Sequence, residues 1–308
     1  MINLDQEHYI DLHMHSLYSI DGELTPTQLV DRCRQAGIRI MAVTDHNSVQ
    51  ANFEAGTAAA QAGIQYLPGI EIDCLFKGLN LHLLGYGIEA ASPDFLEIEE
   101  RFIEQNVAAS RERLKLIRQL GFELTERELE AIAEQGYQKQ VWTGEMIAEV
   151  LLAKPEYYGH ERLKPYRPGG ARSDNPYVNF YWDYCAQGKP AYVEIELPSL
   201  EQAIAIVHRN GGKAVLAHPG ISLAGNFAFL EEILQLGLDG VEAGSSYHPE
   251  QTALELHRWA QENKVFVTGG SDYHGKTKPA IKLGAYRRVL AEAEMERVLQ
   301  EAGLLPQR

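Results

Sequence analysis

The residues able to do metal chemistry fall in a few short segments. Asp11-Leu-His13-Met-His15 puts two imidazoles two positions apart. On a strand such residues share a face, so the pair can ligate one metal or two adjacent ones. Asp21 follows in the turn SIDGE, and Thr44-Asp45-His46, Gly69-Ile-Glu71 and His82 (in LNLHLLGYG) come next. Ala217-His218-Pro219 and Ser271-Asp272-Tyr273-His274 complete the set. Of 11 histidines, His13, His15, His46, His82, His218 and His274 fall at or within predicted strands, while His8, His160, His208, His248 and His257 lie mostly in helices and loops. A lone buried histidine is ordinarily a hydrogen-bonded core residue. Chance would place one or two ligand-like pairs, but not HxH, DxH, TDH and AHP together at strand ends.

The elements that must position these groups read as alternating strands and helices. The apolar runs HYIDL, IRIMAVT, IQYLPGIEI and LNLHLLGYG are separated by helical patterns in TPTQLVDRCRQAG and VQANFEAGTAAAQAG. Thr25 before Pro26 predicts an N-cap with proline at the first helical position. Such alternation predicts a parallel sheet or barrel, in which function gathers at the carboxyl ends of the strands. The middle differs: a long charged helix from about Ser92 to Gly121, helices near Thr125–Gln135 and Thr143–Ala153, a loop rich in Pro, Gly, Tyr and Arg, and the aromatic helix YVNFYWDYCAQG. After Pro190 the alternation returns, with strands expected at Lys213–Ala217, Gly240–Ala243 and Val265–Thr268. The expected organisation is a barrel in two parts, 1–92 and 191–308, around a helical insertion, 93–190.

Composition narrows the class. The 308 residues are 45% apolar and 23% charged, as in a globular protein. No apolar run approaches the roughly 20 residues that span a bilayer, and the N-terminus has no signal-peptide pattern. Cys33, Cys74 and Cys185 are odd in number and lack CxxC spacing, so reduced thiols in a cytoplasmic protein are expected. A net charge of −15 argues against coating a long nucleic acid. A small anionic substrate stays compatible, because bound divalent ions can reverse the field inside one pocket.

Taken together, DLHMHS…DG, TDHN, GIE, LH, AHP and SDYH resemble the PHP (polymerase and histidinol phosphatase) family of the amidohydrolase superfamily. Within it they resemble the subgroup that hydrolyses phosphate from small nucleotides such as 3′,5′-nucleoside bisphosphates. The resemblance runs from about Tyr9 to Gly284 and includes QGKPAYV…SLEQAI at the return from the insertion. It implies an α/β fold, a distorted (β/α)7 barrel with a mostly helical insertion, holding up to three divalent ions. The implied ligands are His13, His15, Asp21, His46, Glu71, His82, His218, Asp272 and His274. Asp21 stands six residues after His15, one more than in the relatives. A His-rich site suits Mn, Fe or Zn better than Mg or Ca, with Mn the first expectation. Three such ions, offset by three carboxylates and a bridging hydroxide, leave about +2 by formal count, which attracts a phosphate dianion. Clustered ions would activate the bridging water, neutralise phosphoryl oxygens and stabilise the leaving alkoxide. Asp272 or a histidine such as His218 is the candidate proton donor.

Substrate contacts are open. Tyr247 and His248 follow the sixth strand, where relatives place a polar recognition residue; an exposed loop residue is the alternative for His248. Arg172 and Lys189 are candidates to clamp a second phosphate, against a reading as surface charge. In the nucleotidase subgroup the insertion carries a His and, three residues later, an Arg; Met146 and Glu149 stand here instead. That departure leaves room for a cyclic phosphodiester or another sugar phosphate. The aromatic residues of Tyr177–Tyr184 could stack a base or pack a core. Rival readings are amide or imine hydrolysis, a non-catalytic metal-binding module and a nuclease.

Overall fold

The computed structural model describes residues 9–223 and 225–307. Its first half alternates β1 (Ile10–Asp11), α1 (Pro26–Gln35), β2 (Ile40–Val43), α2 (Ala51–Ala62), β3 (Gln65–Phe76) and β4 (Leu79–Tyr86). Thr25 caps α1 in a capping box with Gln28, and Pro26 opens the helix as its sequence predicts. The insertion supplies α3 (Pro93–Gln119), α4 (Glu126–Ala133), α5 (Gly144–Ala153) and α6 (Pro176–Tyr184). Thr125 and Thr143 cap α4 and α5 through their hydroxyls. The chain then returns through α7 (Leu200–Arg209), β5 (Lys213–Leu216), α8 (Pro219–Ser222), α9 (Phe229–Leu234), β6 (Gly240–Ser245), α10 (Glu250–Asn263), β7 (Phe266–Gly270) and α11 (Glu292–Glu301).

The seven strands form one sheet in chain order. Its ends meet, since Leu12 N donates to Gly269 O at 3.2 Å and Asp272 N to His13 O at 2.7 Å. Asp11 locks this seam: its carboxylate accepts from Ser271 N, Ser271 Oγ and Gly284 N at 2.7–2.9 Å. Gly270 is needed there, because a Cβ on it would lie 2.3 Å from the Cβ of His13. The result is the expected distorted barrel, with one correction. β3 and β4 form an antiparallel hairpin, and β4 also runs antiparallel to β5. The hairpin turns at Lys77 and Gly78, both at positive φ, the geometry a tight hairpin requires. The fourth strand is therefore not a βα unit, and its His82 faces Asp73 across the hairpin instead of sitting at a parallel strand end.

The described residues form three buried apolar clusters, one of them joining α1, α2 and β2 through Leu29, Met41 and Ala55. Ile10, Ile72, Leu83, Val215, Val241 and their neighbours fill the barrel. A separate cluster, including Leu114, Phe122, Trp142, Leu151 and Phe180, holds the insertion together. The aromatic helix α6 contributes Phe180 and Tyr184 to that core, stacked at 4.5 Å between ring centroids. Cys33, Cys74 and Cys185 are buried free thiols, as their spacing suggests. No described helix is long and apolar enough to cross a membrane.

Candidate metal centre

The barrel strands bring all nine expected ligands to one end, and Glu71 lies at their centre. Its Oε2 is 3.0 Å from His13 Nε2, and its Oε1 is 3.0 Å from His82 Nδ1 and 3.2 Å from His218 Nε2. His15 Nε2 and His46 Nδ1 approach Oε2 at 3.1 and 3.5 Å. Around it are four overlapping groups whose ligand atoms lie within 4.8 Å of one another: His15, Asp21, His46 and His274; His13, His15, Glu71 and Asp272; His46, Asp73 and His82; and Glu71, His82 and His218.

Asp21 reaches the cluster despite its longer spacing. The segment from Ser16 folds back on itself, and a Cβ on Gly22 would sit 1.8 Å from Ser16 O. Ser19 Oγ donates to Asp21 Oδ1 at 2.7 Å, leaving Oδ2 3.2 Å from His274 Nε2. Backbone strain also gathers here. Asn47, His218 and Asp272 take positive φ (53°, 27° and 57°) at the ends of their strands, a cost that persists only where the surroundings enforce it.

The electrostatics fit cations. Burial and the neighbouring His274 push the His15 imidazole down to about 4, so it is a neutral lone-pair donor. Burial would also neutralise His46, but Glu71, Asp73 and Asp21 outweigh it and raise it to about 10. Burial disfavours the Glu71 and Asp272 carboxylates; His13 and its neighbours overcome this at Glu71, and Lys278 and His274 at Asp272, holding both well below the usual range. His15 Nε2 and His274 Nε2 are buried and, although 3.1 and 3.2 Å from carboxylate oxygens, make no well-directed hydrogen bond, a costly state that a bound cation relieves. Imidazoles and ionised carboxylates gathered in one buried cluster therefore form a donor set that fits divalent metals.

Outer residues fix the inner ones. His13 Nδ1 donates to Glu242 Oε1 at 2.9 Å, which turns Nε2 inward, and His218 N donates to Glu242 Oε2 at 2.8 Å. Asp272 Oδ2 accepts from Tyr247 Oη at 2.5 Å and Lys278 Nζ at 2.7 Å, so that Oδ1 faces His13 and His15. An ionised Asp272 suits ligation and does not suit a proton donor at neutral pH. Asp73, Glu242 and Lys278 are additions to the expected set. Asp73 was signalled by its i+2 spacing from Glu71; Lys278 and Glu242 carried no comparable signal.

Above the cluster a cavity of about 380 Å³ opens between barrel and insertion, with Tyr247 and Lys278 in its wall. Three expected substrate contacts lie elsewhere. His248 is buried, donating from Nδ1 to Ala243 O at 2.9 Å and accepting at Nε2 from Gly220 N at 3.0 Å. Both ring nitrogens are thus committed to bracing β6 against α8. Arg172 is paired with Asp183, and Lys189 is exposed; neither lines the cavity. On α5, Glu149 pairs with Lys276 at 2.9 Å, joining the insertion to the loop after β7, and Met146 packs against the insertion core.

Comparison with known proteins agrees with this geometry. Residues 11–161 match the PHP domain. The 3′,5′-nucleoside bisphosphate phosphatase of Chromobacterium violaceum is 31% identical, over 86% of this chain and 87% of that one. The phosphoribosyl 1,2-cyclic phosphate 1,2-diphosphodiesterase of Eggerthella lenta is 29% identical, over 86% and 94%. The 5′-3′ exoribonuclease Rnm of Escherichia coli is 28% identical, over 94% and 92%. A solved Chromobacterium violaceum amidohydrolase with bound sulfate superposes with a TM-score of 0.76 at 25% identity, covering 94% of this chain and 96% of that one. With its ligand-bearing barrel and these relatives, the chain belongs to the PHP family of phosphoesterases.

Proposed function

We propose that this protein hydrolyses a small phosphate ester, such as a nucleotide, nucleoside bisphosphate or sugar phosphate, at the cluster around Glu71. The observation carrying this is the convergence of His13, His15, His46, His82, His218 and His274 with Asp21, Glu71, Asp73 and Asp272 beneath one cavity. Divalent ions held there, Mn first, with Fe or Zn as alternatives, would supply an acidified water and neutralise phosphoryl oxygens. The chain's own groups do the rest. His15 and His218, whose burial lowers their pKa, present neutral nitrogens, and His13 aims its Nε2 at Glu71, which lies between them. Tyr247 Oη and Lys278 Nζ orient Asp272 and line the wall against which the phosphate would rest. Insertion residues such as Thr143, Glu145 and Tyr181 form the cavity's other wall and screen part of it from bulk water, which strengthens electrostatic contacts inside.

The volume, about 380 Å³, favours a mononucleotide-sized substrate. A cyclic phosphodiester of a sugar or nucleotide is the second reading, supported by the Eggerthella lenta relative. The deciding experiment is a phosphate-release screen of Mn-loaded protein over nucleotides, bisphosphates, cyclic phosphates, sugar phosphates and short RNA. Turnover of a small ester is expected. Turnover of oligonucleotides alone would replace this reading with an exonuclease, and no release from any substrate would overturn it.

A further inference from the structure

Two histidines of the cluster turn one ring nitrogen each toward the same carboxylate. Asp73 stands two residues after Glu71 on β3, so both side chains share a face, and it is the register partner of His82 across the hairpin. Its backbone N donates to Asn47 Oδ1 at 3.0 Å, a bond that does not involve the carboxylate. Its Oδ1 lies 3.0 Å from His46 Nδ1 and 3.6 Å from His82 Nε2. The opposite nitrogens face the inner groups: His46 Nε2 is 4.0 Å from Asp21 Oδ2, and His82 Nδ1 is 3.0 Å from Glu71 Oε1. Glu71 Oε2, at 3.5 Å, is the farther acceptor for His46 Nδ1. Among the described residues no lysine or arginine pairs with Asp73, so the two imidazoles are its ion-pair partners.

We propose that Asp73 is a shared positioning residue, which fixes the tautomers of His46 and His82 and so ties together two ion positions that have no ligand in common. The inference rests on the metal reading of the cluster and adds which nitrogen each histidine gives. A neutral imidazole has one N–H and one lone pair. A carboxylate beside one nitrogen keeps the proton there and leaves the other nitrogen to the ion. His46 therefore ligates through Nε2, in the group with His15, Asp21 and His274, and His82 through Nδ1, in the group with Glu71 and His218. His46, Asp73 and His82 also lie close enough to hold an ion of their own, but that ion would take from each inner group the lone pair it needs. Glu242 fixes His13 in the same way on the other side, so two outer acids divide the cluster between them. The contact at 3.0 Å is a hydrogen bond and the one at 3.6 Å is not, so the hold on His46 is the firmer.

The test uses the full-length chain loaded with zinc, which is diamagnetic. Metal retained per chain is measured by elemental analysis over a series of buffered free zinc concentrations. In Asp73→Ala the ions of those two groups are expected to need roughly 10–100-fold more free zinc, with Asp73→Asn, which keeps an acceptor without its charge, in between. The ion held by His13, His15, Glu71 and Asp272 is expected to shift least. Long-range proton–nitrogen NMR spectra of isotope-labelled histidine then separate positioning from general damage. Wild type is expected to show His46 protonated at Nδ1 and His82 at Nε2; in Asp73→Ala both signals move, while the Nδ1 proton of His13, held by Glu242, does not. Should the His13 signal move too, or the Ala variant fail to fold, Asp73→Asn carries the comparison. Wild-type His46 ligating through Nδ1 would overturn the inference, since Asp73 would then be a ligand itself. Zinc retained equally by wild type and both variants would sink this inference alone. Wild type that retains no zinc would sink the metal reading of the cluster and this inference with it.

Discussion

Glu71 touches five of the six histidines in the cluster, so a change of one charge there should be felt throughout. Glu71→Gln keeps the shape and removes the bridging charge. It is expected to lower bound metal per chain, measured by elemental analysis, and to cut turnover by about 100-fold or more, since such charge stabilisation is worth several kcal/mol. Glu242→Gln acts one step further out, through the His13 tautomer. It is expected to weaken metal binding by roughly 10–100-fold while the six histidines remain in place. Glu145 makes a prediction in pH. Its carboxyl is raised from 4.5 to about 7 by burial and by Asp21, so the folded protein holds that proton more tightly than the unfolded chain. The stability it contributes is fully present below pH 4.5 and is lost as pH rises through about 7. In metal-free protein, Glu145→Gln should remove on the order of 1–3 kcal/mol of that decline, read from denaturant midpoints between pH 5 and 8. At this scale the histidines were legible because a sequence seldom places so many at strand ends. Glu242 was not, because a buried acid inside β6 announces itself only once His13 is seen against it. His248 misled for the converse reason: its position after β6 looked exposed until Gly220 and Ala243 took both ring nitrogens.

Elements set how precisely these groups are aimed. The helix caps at Thr25, Thr125 and Thr143 were readable from local sequence, because a hydroxyl bonding a first-turn amide is a short-range event. The direction of β4 was not, since apolar alternation is the same for parallel and antiparallel strands. Only the positive φ at Lys77 and Gly78 turns the chain back and sets His82 opposite Asp73. Closure of the sheet is likewise a long-range matter, carried by Asp11 from 260 residues away from Ser271. Asp11→Ala would leave the amides of Ser271 and Gly284 and the Ser271 hydroxyl without their acceptor. A loss of about 3 kcal/mol or more is expected, measured as a lowered midpoint in chemical denaturation; an unchanged midpoint would show that the seam does not depend on it.

For the molecule as a whole, an acidic chain of net charge −15 surrounds a pocket whose carboxylates need cations. The insertion, held by its own apolar cluster, supplies the pocket's other wall, with lining residues that no barrel motif reports. The central claim is that metal ions held by this cluster make the protein a phosphoesterase. Its most direct test is phosphate release from the small-ester panel by chelator-stripped protein, with Mn added back to the stripped sample. No release before addition and turnover restored by Mn, in step with metal bound per chain, is the predicted result. Metal bound at the cluster with no phosphate released from any substrate, or release that proceeds equally without metal, would contradict it.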